Sequence, residues 1–285
     1  MKVFVTGGSG YIGAAIVGEL LAQGHAVEGL ARSERAGATV ESLGATAVRG
    51  GLRDLDVLNQ AAARSEAVIH LAQASSGDED LSAATAMQDG VGTGVYIHTG
   101  GSWVYGDTHG TADESAPWNP PGLVAWRRPV EQAVLRRAAT GGRPVIIQPG
   151  LLYGGDNRLI DEFFIRPGIG HGAIPVIGTG ANHWSLVHVD DLARLYVAAL
   201  SAAAGSVYLG VGDVAPTAER VAQACAQGAG LNGATRSITI DEARASMGPV
   251  ADAFVLDQQL TSARAQADLD WAPRHGDPLS EFARA

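Results

Sequence analysis

Residues 2–13 read KVFVTGGSGYIG, and this stretch decides the expected fold. Residues 3–5 form a short apolar run that is typical of a strand buried on both faces of a parallel sheet. The glycines that follow would provide a tight exit from the strand, a close backbone approach to a ligand and room for the next helix to pack. They are Gly7, Gly10 and Gly13.

The segment after the third glycine has helical spacing, with apolar residues at Ile16, Leu20 and Leu21. A glycine trio alone is weak evidence, but here a strand precedes it and a helix follows it. Free N–H groups and the positive end of the helix dipole would face an anion at this turn. The stretch therefore predicts a pyrophosphate site for a dinucleotide, with a purely structural turn as the alternative.

The composition is that of a globular protein with a large core. The chain has 285 residues, of which 46% are hydrophobic and 18% charged, and its net charge is −10. The acidic balance argues against nucleic acid and anionic membranes, and no stretch approaches the ~20 apolar residues of a membrane helix. No signal peptide is visible, and the single cysteine, Cys225, excludes an intrachain disulfide. We therefore expect a cytoplasmic protein with a small-molecule substrate and no bound metal.

The end of the second predicted strand, residues 25–31, indicates which dinucleotide is used. Arg32 and Ser33 follow that strand, at the place where dinucleotide folds contact the adenosine ribose. An acidic residue there would bind the 2′-hydroxyl, whereas arginine suits a 2′-phosphate. The pair predicts NADP(H), and the alternative is a solvated arginine on a loop.

Three later motifs add to the opening stretch. Residues 104–106 read VYG after a strand, residues 149–154 read PGLLYG, and residues 184–193 read WSLVHVDDLA. Together with the glycine turn they resemble the motifs of the extended and atypical short-chain dehydrogenase/reductase superfamily, to which the NAD-dependent epimerase/dehydratase proteins belong. The resemblance covers nearly the whole chain.

The resemblance implies an α/β fold, a Rossmann-type doubly wound parallel sheet with a small mixed C-terminal lobe. We expect residues 1–154, completed by 183–212, to form the dinucleotide-binding domain. Residues 155–182 and 213–285 would then form the substrate lobe.

Some helices are also expected from the residue pattern. In the C-terminal lobe the pattern predicts helices over 217–229, 242–247 and 252–264, and Asp190 is expected to cap the helix after the VHV strand. Between residues 74 and 94 only residues 79–87 predict a helix, where the family has a longer one that often forms its dimer face. A homodimer is therefore left open.

The resemblance also implies which residues hold the cofactor. Gly51 replaces the usual aspartate at the adenine ring, and Leu52 would line that pocket with its backbone. The end of the fourth strand would pass beneath the nicotinamide ribose, and the PGLLYG turn would meet the nicotinamide. The implied cofactor residues are Gly7, Gly10, Tyr11, Ile12, Gly13, Arg32, Ser33, Leu52, Leu71, Ala72, Gln73, Thr99, Arg127, Pro149, Gly150, Leu151 and Leu152.

The chain departs from the family at the catalytic residues. Alignment on Glu131 places Arg127 at the lysine and Leu123 at the tyrosine of Tyr-x-x-x-Lys, a motif that occurs nowhere in the sequence. Arginine can hold the ribose hydroxyls but cannot plausibly transfer a proton. The acid would then have to be Tyr105, Tyr153, a histidine or water.

The usual serine positions fall on glycines, Gly100 and Gly101. The neighbouring hydroxyls of Thr99 and Ser102 are therefore the candidates for polarising a substrate oxygen. The catalytic candidates are Thr99, Ser102, Tyr105 and Arg127. The substrate-pocket candidates are Trp103, Tyr153, His183 and Trp184.

These features favour an NADPH-dependent reductase that acts on a carbonyl, imine or activated alkene of a small, largely apolar substrate. The missing tyrosine leaves two alternatives. One is an NADP-binding protein without redox turnover, a sensor or scaffold. The other is a non-redox epimerase, dehydratase or cyclase on the same fold.

Overall fold

The computed structural model describes residues 1–155 and 158–284. Its strands are β1 (Lys2–Thr6), β2 (Ala26–Ala31), β3 (Thr46–Arg49), β4 (Ala67–His70), β5 (Val95–Thr99), β6 (Thr111–Ala112), β7 (Arg143–Pro149), β8 (Leu151–Tyr153), β9 (Ile174–Ile177), β10 (Leu186–His188), β11 (Ser206–Gly210), β12 (Thr235–Ile238) and β13 (Gln259–Leu260). Its α-helices are α1 (Tyr11–Ala22), α2 (Glu34–Ser42), α3 (Leu55–Ala63), α4 (Gly77–Val91), α5 (Arg127–Leu135), α6 (Arg158–Ile160), α7 (Arg166–His171), α8 (Val189–Ala198), α9 (Ala218–Gly228), α10 (Ile240–Met247), α11 (Ala251–Phe254), α12 (Ala263–Leu269) and α13 (Pro278–Phe282).

Seven parallel strands form the central sheet, in the order β11-β7-β5-β4-β1-β2-β3. The strand order reverses between β1 and β4, and the carboxyl ends of these two strands flank a crevice. Open α/β sheets bind their ligands at such a reversal. The expected α/β Rossmann-type fold is therefore confirmed.

The central strand β1 is covered on both faces. Val3 and Val5 pack in one cluster with residues of α1 and α8, whereas Phe4 packs in another with residues of α3, α4 and α5. Alternate side chains of a strand point to opposite faces, and all three are fully buried. The apolar run at the N-terminus is thus a central strand, as its composition predicts.

A third apolar cluster lies outside the two faces of the sheet. It joins residues of β9, α9, β12 and α11, and it includes Phe164, Trp184, Cys225 and Phe254. β9 and β12 pair in parallel as a separate two-stranded sheet. Among the described residues, no helix is both long enough and apolar enough to span a bilayer.

Three local expectations are wrong. The helix expected over residues 252–264 is interrupted, because residues 259 and 260 form β13 and pair with β6. The helix expected over residues 79–87 is longer, and α4 spans Gly77–Val91 with Ser76 as its side-chain cap. The cap of α8 is His188, whose Nδ1 accepts from the Asp190 N–H, so Asp190 lies in the first turn.

Candidate active site

The glycine turn between β1 and α1 brings the backbone close to the end of β4. Gly7 has φ +74°, and a Cβ there would lie 2.9 Å from the Ala72 nitrogen. A Cβ on Gly13 would overlap the Gly7 carbonyl oxygen, so this glycine lets α1 begin directly against the turn. Gly10 is the N-cap of α1 and supplies no side-chain cap. These features fit a pyrophosphate group at the helix N-terminus.

Arginines surround the end of β2. Arg32 is exposed and forms no ion pair among the described residues, and Arg35 lies in the first turn of α2. The Ser33 hydroxyl caps α2 by accepting from the Ala36 N–H at 3.2 Å. Arg49, at the end of β3, lies 3.8 Å from a Glu34 carboxylate oxygen. This charge balance fits a phosphate on the adenosine ribose.

A cavity of about 410 Å³ opens at the carboxyl ends of β4, β5 and β7. Its wall includes twelve of the expected cofactor, catalytic and substrate-pocket residues, namely Ile12, Leu71, Ala72, Gln73, Thr99, Ser102, Trp103, Arg127, Pro149, Gly150, Leu151 and Leu152. The rest of the wall is His70, Ala74, Asp80, Gly100, Gly101, Leu123, Val124, Trp126, Leu159 and Val250. The wall is mostly apolar, with a small number of polar groups, as is usual for small-molecule sites.

Arg127 and Thr99 meet at the wall of this cavity. Arg127 Nη1 donates to the Thr99 carbonyl oxygen at 3.2 Å, and its guanidinium lies 4.8 Å from the Trp126 ring centroid. The Thr99 hydroxyl shares a hydrogen bond of 2.7 Å with the Tyr196 hydroxyl. A Cβ on Gly101 would lie 4.0 Å from Arg127 Nε. The arginine therefore stands beside the residue that replaces one of the expected serines.

The two tyrosines considered as acids lie outside the cavity wall. Tyr105 is buried and donates to Gln148 Oε1 at 2.6 Å, and burial raises its pKa. Tyr153 donates to the His275 carbonyl oxygen at 2.7 Å, and burial raises its pKa as well. Leu123, which aligns with the tyrosine of the family's Tyr-x-x-x-Lys motif, lines the cavity but precedes α5. The position of the missing tyrosine is therefore not on α5.

Four other expected residues also lie away from the wall. His183 Nδ1 and a carboxylate oxygen of Asp257 are 2.7 Å apart, and Trp184 Nε1 donates to the Phe254 carbonyl oxygen at 2.9 Å. Tyr11 donates to the carbonyl oxygens of Tyr153 and Gly154. Leu52 is half-buried and packs against the apolar cluster that contains α3.

A buried group of two histidines and one aspartate was not expected from the sequence. His70 Nε2 lies 3.2 Å from Asp80 Oδ1, and His98 Nε2 lies 3.4 Å from Asp80 Oδ2. Burial alone would raise the pKa of Asp80, but the hydrogen bond from His70 and the positive charge of Arg127 hold it below its ordinary value. Burial lowers the pKa of His98 to about 3, although the Asp80 carboxylate opposes this shift.

One sequence signal points to this group. Asp80 stands on the same helical stripe as Ala83, Ala84 and Met87, the face of α4 that packs on the sheet. The pairing of His70 with His98 is set by the register of the adjacent strands β4 and β5, which the sequence does not show.

Glu131, on α5, is a second buried carboxyl near the cavity. Its Oε2 accepts from Gln148 Nε2 at 2.8 Å. Its Oε1 would lie 2.6 Å from a Cβ on Gly100, so it occupies the volume that a side chain at this position would need. Burial raises the pKa of Glu131 to about 7.

The sequence comparisons agree with this geometry. The family model described as "NAD dependent epimerase/dehydratase family" matches residues 3–209. The chain belongs to this family. The match begins in β1, includes the glycine turn and the cavity wall as far as Leu159, and ends in β11.

The chain is similar to two proteins in sequence and shares its fold with a solved structure. A protein of Schizosaccharomyces pombe described as uncharacterized is 29% identical over 99% of this chain and 98% of its own length. The 2-alkyl-3-oxoalkanoate reductase of Stenotrophomonas maltophilia is 28% identical over 78% of this chain and 74% of its own. The dTDP-glucose 4,6-dehydratase of Streptomyces venezuelae, solved with NAD bound, has a TM-score of 0.81 at 23% identity. That alignment covers 100% of this chain and 96% of the dehydratase.

Proposed function

We propose that the protein is an NADPH-dependent reductase that acts on a carbonyl, imine or activated alkene of a small, largely apolar substrate. The observation that carries this proposal is the shared wall of one cavity. Ile12 from the start of α1, Leu71–Gln73 after β4 and Pro149–Leu152 around β8 surround it together with Thr99 and Arg127. A dinucleotide whose pyrophosphate sits at the glycine turn would extend its nicotinamide into this cavity.

The proposal assigns separate tasks to the polar residues of the wall. Arg127 would hold the ribose hydroxyls and keep the local field positive. If Tyr196 donates to Thr99, the Thr99 hydroxyl proton is left for an acceptor oxygen of the substrate. Ser102, which also borders the cavity, is the alternative donor. The bound dinucleotide would supply a hydride.

The substrate class follows from the rest of the wall. Trp103, Leu123, Val124, Trp126, Leu159 and Val250 contribute apolar surface to the cavity. An apolar wall gains more from burying apolar substrate surface than from a polyhydroxylated sugar, whose hydroxyls would be left unpaired. The relative named as a 2-alkyl-3-oxoalkanoate reductase supports a ketone with an apolar chain as the first substrate to test.

Arg32 provides the test of cofactor choice. We expect Arg32→Ala to weaken NADPH binding by about 10- to 100-fold, since an arginine–phosphate pair contributes roughly 1.5–3 kcal/mol. NADH binding should change by less than about twofold, because NADH lacks the 2′-phosphate. Titration calorimetry with both cofactors measures the two effects. Arg136→Ala removes another exposed arginine, outside this site, and serves as the control.

Turnover is tested with the NADPH complex. The complex is mixed with a panel of 3-oxo acids, ketones, imines and enones, and the loss of NADPH absorbance is followed. Oxidation of NADPH by one member supports the reductase. Binding without oxidation by any member contradicts it, and equal loss of NADPH and NADH affinity in Arg32→Ala contradicts the assignment of the 2′-phosphate site.

A dinucleotide-binding protein without redox turnover is the second candidate. One observation favours it, because neither Tyr105 nor Tyr153 borders the cavity and Leu123 stands at the family's tyrosine position. A non-redox epimerase or dehydratase would instead convert substrate without net NADPH loss. The single cysteine supports a cytoplasmic location for any of these.

A further inference from the structure

The group formed by His70, Asp80 and His98 has no part in the function proposed above. The three residues come from β4, α4 and β5, and each is at most 4% exposed. His70 and Asp80 also contribute to the wall of the cavity. One ligand-type atom from each of the three residues lies within 4.8 Å of the other two.

We propose that His70, Asp80 and His98 form a binding site for a divalent transition-metal ion of the zinc type, with one position open to the cavity. No metal is expected from the sequence, since the three residues are not close in a recognisable motif.

The donor atoms are close enough for one ion to contact all three residues. His70 Nε2 lies 3.2 Å from Asp80 Oδ1 and His98 Nε2 lies 3.4 Å from Asp80 Oδ2, so the two imidazoles face different oxygens of one carboxylate. One ligand-type atom from each residue lies within 4.8 Å of the other two, and a tetrahedral zinc ion would require these atoms to come to about 3.3 Å from one another. Two imidazoles and one carboxylate form one of the ligand sets that catalytic zinc sites use, with a fourth position for water or substrate.

The surroundings of the two imidazoles also fit metal binding. His70 Nδ1 lies 2.6 Å from the Thr6 hydroxyl, and His98 Nδ1 lies 3.3 Å from the Tyr96 hydroxyl. In metal sites the second ring nitrogen of a histidine donates its proton to such a partner, which fixes the ring and leaves Nε2 for the metal. Each imidazole therefore presents Nε2 to the carboxylate of Asp80. The Thr6 hydroxyl already accepts from the Leu71 and Ala72 N–H groups, so zinc binding by His70 would require this hydroxyl to change its hydrogen-bond partners.

Asp80 Oδ2 is the independent observation. This oxygen is buried and has no hydrogen-bond partner among the described residues. A buried carboxylate oxygen without a partner costs free energy, and a cation would remove that cost. Without a metal, His70 Nε2 can direct a proton at Oδ1, whereas the 3.4 Å contact between His98 Nε2 and Oδ2 is not a hydrogen bond. A zinc ion would replace the proton on His70 Nε2 and provide Oδ2 with a partner.

A metal at this place would complement the missing tyrosine. This consequence rests on the proposed reductase, whereas the metal site itself does not. When a hydride adds to a carbonyl carbon, the π electron pair moves to the oxygen, and solvent then supplies the proton. A zinc ion with Asp80 and the Arg127 guanidinium would leave two net positive charges, which favour such an anionic oxygen.

Zinc binding by the metal-free protein tests the site. We expect one tightly bound zinc per chain by calorimetry and elemental analysis. A second group, His188, Asp190 and His275, in which only Asp190 is exposed, could also hold a cation, so His188→Gln is the matched control and should keep the tight zinc. His98→Gln and Asp80→Asn should each lower zinc affinity at least 100-fold.

These buried variants need a check of folding. Near-UV circular dichroism and NADPH binding are measured on the same samples. If a variant does not fold, X-ray absorption of zinc-loaded His188→Gln protein decides the question, since it should show two imidazoles and an oxygen ligand. Wild-type protein that binds no zinc overturns the proposal, as does zinc binding unaffected by His98→Gln and Asp80→Asn in folded protein. NADPH turnover without zinc binding would refute only the metal site, whereas zinc binding without turnover would refute only the reductase.

Discussion

Glu131 is the residue for which burial and charge conflict most clearly. Its side chain is 2% exposed, and Oε1 has no hydrogen-bond partner among the described residues. Desolvation favours the neutral acid and raises the pKa from 4.5 to about 7, although the Gln148 hydrogen bond and Arg127 oppose this shift. Folded protein therefore keeps the proton at pH values where the unfolded chain has lost it.

The stability of the protein should depend on pH through Glu131. Because the folded pKa lies above the unfolded value, this group lowers the free energy of unfolding as pH rises from about 4.5 to about 7. The full effect is roughly 3 kcal/mol, from the cost of about 1.4 kcal/mol per pKa unit. Glu131→Gln should lack this pH dependence. Its free energy of unfolding should therefore rise relative to that of wild type between about pH 4.5 and 7, and the difference should stay constant above pH 7.

Urea denaturation at several pH values measures this difference. Glu41→Gln changes an exposed glutamate without an ion pair among the described residues and serves as the control. The difference in unfolding free energy between Glu41→Gln and wild type should stay constant with pH. A flat difference for Glu131→Gln as well would show that the carboxyl ionises normally in the folded protein.

Helix α1 depends on two glycines in different ways. A Cβ on Gly13 would overlap the Gly7 carbonyl oxygen, whereas a Cβ on Gly18 would have no heavy atom within 4 Å. Both residues lie in the same helix. Gly13 therefore allows the helix to pack closely against the turn, whereas Gly18 makes no such contact and only lowers the helix propensity.

The two glycines should respond oppositely to alanine. Gly13→Ala should destabilise the protein by about 1–3 kcal/mol, because backbone rather than a flexible side chain must move. It should also weaken NADPH binding, since the turn is displaced. Gly18→Ala should raise stability by about 0.5–1 kcal/mol through helix propensity and leave NADPH affinity unchanged. Denaturation curves and calorimetry of both variants measure this, and equal effects would contradict the role of Gly13.

The C-terminal segment is tied to the central domain through Asp191 at the start of α8. The Arg274 and His275 N–H groups donate to Oδ2 at 3.0 and 2.9 Å, and His275 Nδ1 lies 3.0 Å from Oδ1. The Trp271 indole donates to the Asp191 carbonyl oxygen at 2.9 Å. The carboxylate is 1% exposed, so this one residue joins segments about 80 positions apart.

Asp191 and its neighbour form a matched pair for mutation. Asp191→Asn should destabilise the protein by about 2–4 kcal/mol, because charged hydrogen bonds are lost and a buried donor is added. Asp190, whose side chain is 65% exposed, should tolerate Asp190→Asn within about 0.5 kcal/mol.

The pH dependence of this loss has a definite sign. Burial alone would raise the pKa of Asp191, but hydrogen bonds from His275, Arg194 and Arg274 lower it below 3.8. The contribution of the Asp191 carboxylate to the free energy of unfolding is therefore present above the pKa of the unfolded chain, and it is lost as the pH falls below that value. The gap between wild type and Asp191→Asn should narrow below about pH 4 in urea denaturation. A constant gap would indicate a loss of packing alone.

The sequence by itself determined the features that depend on neighbours along the chain. The strand, glycine turn and helix of residues 2–22 are neighbours along the chain, so local geometry predicts this strand–turn–helix unit, and the resemblance of the later motifs to a known family implies the doubly wound fold that the structure has. The helix expected over residues 252–264 is wrong because this segment depends on a partner that is distant along the chain. β13 forms only because β6, almost 150 residues earlier, offers it a partner.

Only the tertiary structure decided the composition of the candidate site. The register of β4 and β5 places His70 beside His98, and the packing of α4 brings Asp80 between them. Tertiary packing likewise directs Tyr105 and Tyr153 away from the cavity, although their motif suggested proximity. A side chain's direction and its partners depend on contacts distant in sequence, whereas a glycine turn depends on a few consecutive dihedral angles.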